Sequence, residues 1–390
     1  MDTQQVVLHM NHGTGDNSYA NNSIIQKKVM REAKGIVEES IKRLYTIIPV
    51  HCFKVADLGC SSGPNALQLV SNVMDIVDTT TSNLNLKPPV FQFFLNDLYG
   101  NDFNSIFKSL PKFLESLEEK KGHKLGPCFI NATPGTFYRR LFPNDSLHFV
   151  HSSFSLHWLS QAPKKVVNKE NIHLTSTSPP GMHKAYLEQF QKDFKVFLKL
   201  RSQEVVAGGG MVLTLFGRDK TRDIRTVWTI IGTILNDMVL ENLIEATKLE
   251  SFNLPLYDPT IEEARKVIEK EGSFSLQRLE AVIMGWDANI NEGVDENNKL
   301  DLNMRSQFIT KQHRAALEPL LKAQFGENVM DKLFLRFKTK VVQLMEEKNL
   351  EFPTLLAQFG EEVMDELFRR YKNKILQLIM EIDILEFPTL

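Results

Sequence analysis

Near the start of the chain an apolar run breaks into a glycine-bearing turn, the mark of a strand that feeds a helix. Phe53-Lys-Val-Ala-Asp57 reads as a short buried strand, Leu58-Gly59-Cys60-Ser61-Ser62-Gly63-Pro64-Asn65 as a turn, and Ala66 to Val77 as a helix. Asp57, Gly59 and Gly63 stand at i, i+2 and i+6. Glycine lets a backbone approach a ligand closely, and a helix N-terminus beyond it favours an anionic group. Alone, such a turn can be no more than a turn.

The following segments repeat the alternation. Val90 to Leu95 reads as a second strand ending at Asn96-Asp97, and Phe103 to Leu117 as a helix. Pro127 to Asn131 and Ser146 to Ser152 read as further strands. Tyr186 to Val205 is a long helix, which Gly208-Gly209-Gly210 breaks before the strand Met211 to Phe216. Strands alternating with helices imply an α/β fold with a mostly parallel sheet, which binds ligands at the carboxyl ends of its strands. Asp97 closes the second strand, where an acid can hold ribose hydroxyls. The gap from Asp57 to Asp97 exceeds the usual ~20 residues, which an inserted loop from Thr79 to Pro89 would explain. Serine at position 61 interrupts the full dinucleotide glycine pattern, which disfavours a dehydrogenase but not a methyltransferase.

The flanks are helical. Ile25, Val29, Ala33, Ile36, Val37, Ile41 and Leu44 recur at helical spacing, with Asn21, Asn22 and Ser23 as capping candidates. After Gly217, Val227 to Ile244 and Ile261 to Lys270 are expected helices, Ser273 to Ile283 a strand, and Asp287 to Leu302 a loop. The tail carries a repeat: Ala323 to Phe334 returns as Ala357 to Phe368, and both copies end in Leu-Glu-Phe-Pro-Thr-Leu, at Leu355 and Leu390. Two copies are too few for a solenoid, so this is a tandem duplication. The first helix, about Glu327 to Glu347, is expected beside the sheet, with the copy from Ala357 packing outside the core. Four segments follow: 1–50, an N-terminal segment and covering helix; 51–218, the ligand-binding core; 219–325, a mainly helical cap with a core strand near 273–283; and 326–390, the duplicated helix-plus-strand unit.

Composition removes other classes. A formal charge of −2 leaves no basic excess for a nucleic acid. Cys52, Cys60 and Cys128 are odd in number and far apart, which suits a reduced, cytoplasmic protein. No signal peptide is read in Met1 to Met10, and no apolar run approaches the ~18 residues of a membrane span. His148 and His151 lie three apart on a strand and so face opposite ways, and no Cys or carboxylate cluster completes a metal site. Glu115, Glu118, Glu119, Lys120 and Lys121 read as a solvated face.

Collinear motifs from residue 6 to about 340 make the chain resemble the plant SABATH methyltransferases, which methylate salicylate, benzoate, jasmonate and xanthine alkaloids. They are Leu8 to Asn11, Ser18 to Ser23, Ala56 to Asn65, Leu95 to Leu98, Pro134 to Tyr138, Leu141 to Pro143, His148 to Ser160, Phe252 to Pro255, Glu271 to Phe274 and Arg314 to Pro319. The resemblance implies a Rossmann-like class I methyltransferase sheet with a helical cap, S-adenosylmethionine as cofactor, and a homodimer. It assigns Ser23, Asp57, Gly59 and Asn65 to the methionine end of the cofactor, Asp97 and Leu98 to its ribose, and Thr136 and Phe137 to its adenine. Some relatives carry lysine where Asn11 stands, so that charged contact is absent here.

The same resemblance assigns Gln26 and Trp158 as hydrogen-bond donors to a substrate carboxylate. Phe154, His157, Val227, Trp228, His313 and Ala316 fall at pocket-lining positions. Phe154, His157 and Trp158 would share one wall if their stretch were helical. A small carboxylic acid, with a pKa near ~4, is already anionic at pH 7 and needs no general base. His157 then reads as a shape-setting residue, while Trp228 could equally be plain core. The expected function is a carboxyl methyltransferase for a small apolar acid, with jasmonate ahead of salicylate and benzoate. The alternatives are a xanthine N-methyltransferase and a non-catalytic protein that retains the fold. Gln26 favours the carboxylate over the xanthine.

Overall fold

The computed structural model describes residues 8–48, 50–122, 126–163, 171–175, 178–219, 226–347 and 350–360. Its strands are β1 (Cys52–Leu58), β2 (Val90–Asp97), β3 (Cys128–Pro134), β4 (Leu147–Ser153), β5 (Val205–Phe216), β6 (Leu276–Gly285) and β7 (Glu351–Phe359). They form one seven-stranded sheet in the order β3-β2-β1-β4-β5-β7-β6. The first five pair in parallel, and β7 runs antiparallel between β5 and β6. The chain steps outward from β1 through β2 to β3, then returns to lay β4 on the other side of β1. Ligands in open α/β sheets bind at such a switch point, outside the carboxyl ends of the strands.

The helices are α1 (Ile24–Glu32), α2 (Lys34–Ile47), α3 (Pro64–Asn83), α4 (Phe103–Lys121), α5 (Pro180–Glu204), α6 (Val227–Leu240), α7 (Ala246–Glu250), α8 (Ile261–Glu271), α9 (Leu302–Phe325) and α10 (Met330–Glu347). Two of them cover one face of the sheet. Ile36, Val37 and Ile41 of α2 join Val70, Val73 and Val77 of α3 in a core over Phe53 and Val55. Helix α5 covers the other face through Phe190, Phe194 and Phe197. A separate core gathers α6, α7, α9 and α10 around Trp158, Trp228 and Trp286. That helical group stands over the carboxyl ends of the strands because Trp158 lies just past β4 and Trp228 opens α6. Among the described residues no helix is long and apolar enough to cross a membrane.

Several local expectations are corrected. The first amphipathic run is two helices that meet at Ala33. The expected Thr79–Pro89 loop is shortened, because α3 continues to Asn83 and only residues 84–89 are left before β2; the long spacing from Asp57 to Asp97 is mostly helix length. Gly208, Gly209 and Gly210 do not break the chain before β5 but lie within it. A Cβ at Gly209 would meet the His148 carbonyl at 2.9 Å, so close backbone approach replaces the expected break. Phe154 to Trp158 is a turn and not a helix: Phe154 has φ 53°, and the Trp158 N–H donates to the Ser155 carbonyl at 3.0 Å.

The tail differs most. Helix α10 packs on α9 and α6 in the cap. The closing strand β7 does not stop at Leu355. It runs on through Leu356, Ala357 and Phe359, all at most 2% exposed, so the second copy begins inside the core. The same Ala-Gln-Phe triplet therefore ends helix α9 at Ala323–Phe325 and forms strand at Ala357–Phe359. Tertiary context overrides local propensity here. The rest of the second copy, 361–390, lies outside the described residues.

Candidate active site

The turn after β1 is built around two glycines with positive φ. Gly59, at φ 81°, sits where an added Cβ would collide with Ser155 Oγ and lie 3.6 Å from the Phe137 ring. Gly63, at φ 93°, would meet Ala20 Cα at 2.7 Å. Both positions need glycine for conformation and for room. The N–H groups of Gly59 and Cys60 both donate to the Asn96 carbonyl at 2.9 Å, which locks the turn to the end of β2.

Asp97 closes that end. Its Oδ2 accepts the Ser61 N–H at 2.7 Å, and its Oδ1 accepts the Leu98 N–H at 2.7 Å. Burial pushes the carboxyl up to about 6; the Leu98 and Ser61 N–H groups work against that shift, and the negative charge of Asp57 adds to it. Asp57 is buried and accepts or shares a hydrogen bond with His151 Nδ1 at 2.8 Å. β1 and β4 place the two residues opposite each other in register.

The other cofactor candidates converge on the same turn. Asn65 Nδ2 donates to Ser23 Oγ at 2.9 Å and to the Ser23 carbonyl at 3.1 Å. Gly135 N–H donates to the Asp97 carbonyl at 2.8 Å, which sets the Thr136–Phe137 loop beside the end of β2. Ser62 Oγ and Asn96 Oδ1 are buried with no partner among the described residues. Unpaired buried polar groups are costly unless a ligand meets them. Two carboxylates can accept from ribose hydroxyls and an ammonium group, and the serine hydroxyls can donate to a carboxylate. The residues present therefore fit S-adenosylmethionine.

The acceptor candidates line an aromatic wall. The rings of His157 and Phe216 lie 4.6 Å apart, those of Phe154 and His157 5.7 Å, and those of His157 and Trp158 5.9 Å. Phe216 stands 6.0 Å from Trp228, and Trp228 6.1 Å from His313. Val227, Trp228 and Trp158 belong to the cap core, on which Ala316 packs. Helix α1 spans both halves: Ser23 stands at its N-terminus and meets Asn65, while Ile25 and Val29 pack on Phe154. Gln26 lies one turn along, and its buried Oε1 has no partner among the described residues. Gln312 of α9, beside His313, accepts the Ile25 N–H at 3.1 Å.

Both pocket histidines are neutral at physiological pH. Burial pushes His157 down to about 3 and His313 down to about 4. Their hydrogen bonds fix opposite tautomers. The Phe216 N–H donates to His157 Nδ1 at 3.4 Å, so the His157 proton sits on Nε2. His313 Nδ1 donates to the Ile309 carbonyl at 2.7 Å, which leaves its Nε2 an acceptor.

Sequence reasoning missed four residues here. In sequence His151 stands out only as a metal candidate, and the β1–β4 register is what pairs it with Asp57. Phe216 and Phe352, with rings 4.9 Å apart, bring β5 and β7 onto the Phe154 wall. Tyr138 donates its hydroxyl to the Trp158 carbonyl at 2.7 Å. Asn11 is taken up elsewhere: its amide donates to Glu318 at 2.8 Å and its N–H to the Ala315 carbonyl at 2.8 Å. Among the described residues no group of His, Cys, Asp and Glu is placed to hold a metal ion.

A switch-point cradle with two strand-end carboxylates, under a helical cap, defines an S-adenosylmethionine-dependent methyltransferase of class I. A family model described as SAM dependent carboxyl methyltransferase matches residues 5–357. A benzoic acid/salicylic acid carboxyl methyltransferase of Petunia hybrida is 43% identical over 351 residues, covering 89% of this chain and 96% of that protein. A probable jasmonic acid carboxyl methyltransferase of Theobroma cacao is 44% identical, covering 86% and 93%. A probable caffeine synthase of Coffea canephora is 41% identical, covering 88% and 94%. A solved loganic acid methyltransferase with S-adenosylhomocysteine (SAH) superposes with a TM-score of 0.77 at 32% identity, over 90% of this chain and 99% of that one. The chain belongs to the SAM dependent carboxyl methyltransferases, the SABATH family. It is an S-adenosylmethionine-dependent methyltransferase.

Proposed function

We propose that the protein forms the methyl ester of a small apolar carboxylic acid, with jasmonate ahead of salicylate and benzoate. The observation that carries the reading is the place of Gln26, one turn past Ser23 on helix α1, which packs on Phe154 through Ile25 and Val29; from there its side-chain N–H can be offered to an acid. An amide N–H from Gln26 and the indole N–H of Trp158 are both donors, which suits a carboxylate and not the mixed edge of a xanthine. When bound, S-adenosylmethionine supplies an activated methyl group and leaves as SAH. The acid is already ionised at pH 7, and His157, held near 3, is a poor base there. The chain's task is then to orient the carboxylate and to exclude water. Orientation alone can supply roughly 7 to 11 kcal/mol.

Jasmonate is preferred over the aromatic acids on the strength of His157. Its Nε2–H is a donor on an otherwise apolar wall, suited to a ketone on the body of the acid. Gln26→Ala and Trp158→Phe should each lower kcat/KM for the acid roughly tenfold, if each removes about 1.4 kcal/mol from the transition state. Unchanged kcat/KM in both variants would remove the carboxylate clamp. A homodimer in the cytoplasm remains part of the proposal, and light scattering of the purified protein tests the dimer.

A further inference from the structure

The turn that carries Trp158 is tied to the cofactor cradle by two hydroxyl groups. Ser155 Oγ donates to the Gly59 carbonyl at 3.1 Å. Tyr138 Oη donates to the Trp158 carbonyl at 2.7 Å. Tyr138 directly follows Thr136 and Phe137, and its own N–H donates to Thr136 Oγ1 at 3.3 Å. Its ring stands edge-on to Phe137 at 4.7 Å. The loop is anchored from behind, where buried Arg201 donates to the Phe137 carbonyl at 2.8 Å and to the Arg139 carbonyl at 3.0 Å. The turn it grips is strained: Phe154 holds a left-handed φ of 53°, which a bulky residue keeps only when its surroundings impose it.

We propose that Tyr138 is a positioning residue, which transmits order from the adenine loop to the acceptor turn through its hydrogen bond to Trp158. Cofactor binding that stiffens Thr136 and Phe137 then also stiffens the Trp158 carbonyl, so the acceptor clamp is set before the acid arrives. The inference rests on the reading that Thr136 and Phe137 flank the adenine and that Trp158 meets the acid. Its chemistry is one neutral hydrogen bond, and no proton moves.

Backbone hydrogen exchange with SAH alone tests it, without any acid. The Trp158 N–H is held by the Ser155 carbonyl at 3.0 Å and the Leu159 N–H by the Pro255 carbonyl at 2.7 Å, so both report opening of the turn. In the wild type, SAH should slow exchange at residues 135–139 and also at 154–160, the latter about tenfold, within the ordinary range of coupling between sites. In Tyr138→Phe, SAH should still slow 135–139 and leave 154–160 unchanged. Equal slowing of 154–160 in both proteins overturns the proposal, as does slowing confined to 135–139 in the wild type. Slowing in neither segment overturns the adenine assignment itself, and the proposal with it. Ser155→Ala removes only the other link, so SAH should still slow 154–160 there; loss of that effect would mean Tyr138 is not the route.

Discussion

The side-chain amide of Asn65 donates to Ser23 Oγ at 2.9 Å, joining the first turn of α3 to the cap of α1. Through this bond the helix that carries Gln26 is held against the cofactor turn. Asn65→Ala leaves the Ser23 hydroxyl and carbonyl without this donor, at a cost of about 1 to 3 kcal/mol. SAH affinity by calorimetry should fall, and the acid KM should rise with it. An unchanged SAH affinity would mean that α1 is held in place by packing alone.

With Asp97 as the ribose ligand, SAH binding should depend on pH. Its folded value, about 6 without ligand, lies above the ordinary 3.8. Ribose hydroxyls donate best to the ionised form, so SAH affinity should fall as pH drops through 6, approaching about tenfold per pH unit for a single proton. The effect on folding has the opposite sense. A carboxyl whose value is raised on folding favours the folded state below the ordinary value, and that contribution is lost as pH rises through about 6. Asp97→Asn should therefore bind SAH more weakly, with no pH slope between 5 and 7. Calorimetry across that range reads it, and an identical slope in the variant would assign the proton to another group.

His157→Met removes the Nε2–H donor and keeps an apolar side chain of similar reach. Competition between jasmonate and benzoate should shift toward benzoate by roughly tenfold, the worth of about one hydrogen bond. Loss of both activities in parallel would mean that His157 shapes the wall without reading the acid.

The C-terminal cut is placed by β7. Truncation after Gly360 keeps the whole strand and should leave a soluble, active enzyme. Truncation after Leu355 removes Leu356, Ala357 and Phe359 from the sheet. Loss of a buried Phe alone costs about 3 to 5 kcal/mol, so this shorter chain should melt earlier or fail to accumulate. Soluble yield and Tm of the two proteins decide, and equal stability would place Ala357–Phe359 outside the core.

The alternation of strands and helices and the turn from Asp57 to Asn65 were legible because periodicity and glycine placement are local signals. Ser23, Asn65, Asp97 and the Phe154–Trp158 group could be named from motif resemblance. What joins them could not. The Asp57–His151 pair depends on β4 returning to the side of β1, which no local pattern encodes. Gly209 passes as a breaker in sequence, yet it sits where the His148 carbonyl leaves no room for a side chain. The Ala-Gln-Phe triplet is helical at 323 and extended at 357, so only its tertiary surroundings decide its state.

Methyl transfer from S-adenosylmethionine to a carboxylate is read in its product. Jasmonate, salicylate, benzoate and 7-methylxanthine are supplied together with methyl-labelled S-adenosylmethionine, and the labelled product is identified by mass spectrometry. A labelled methyl ester is expected, with methyl jasmonate the largest product and SAH in equal amount. A labelled N-methylxanthine with no methyl ester would overturn the carboxylate reading.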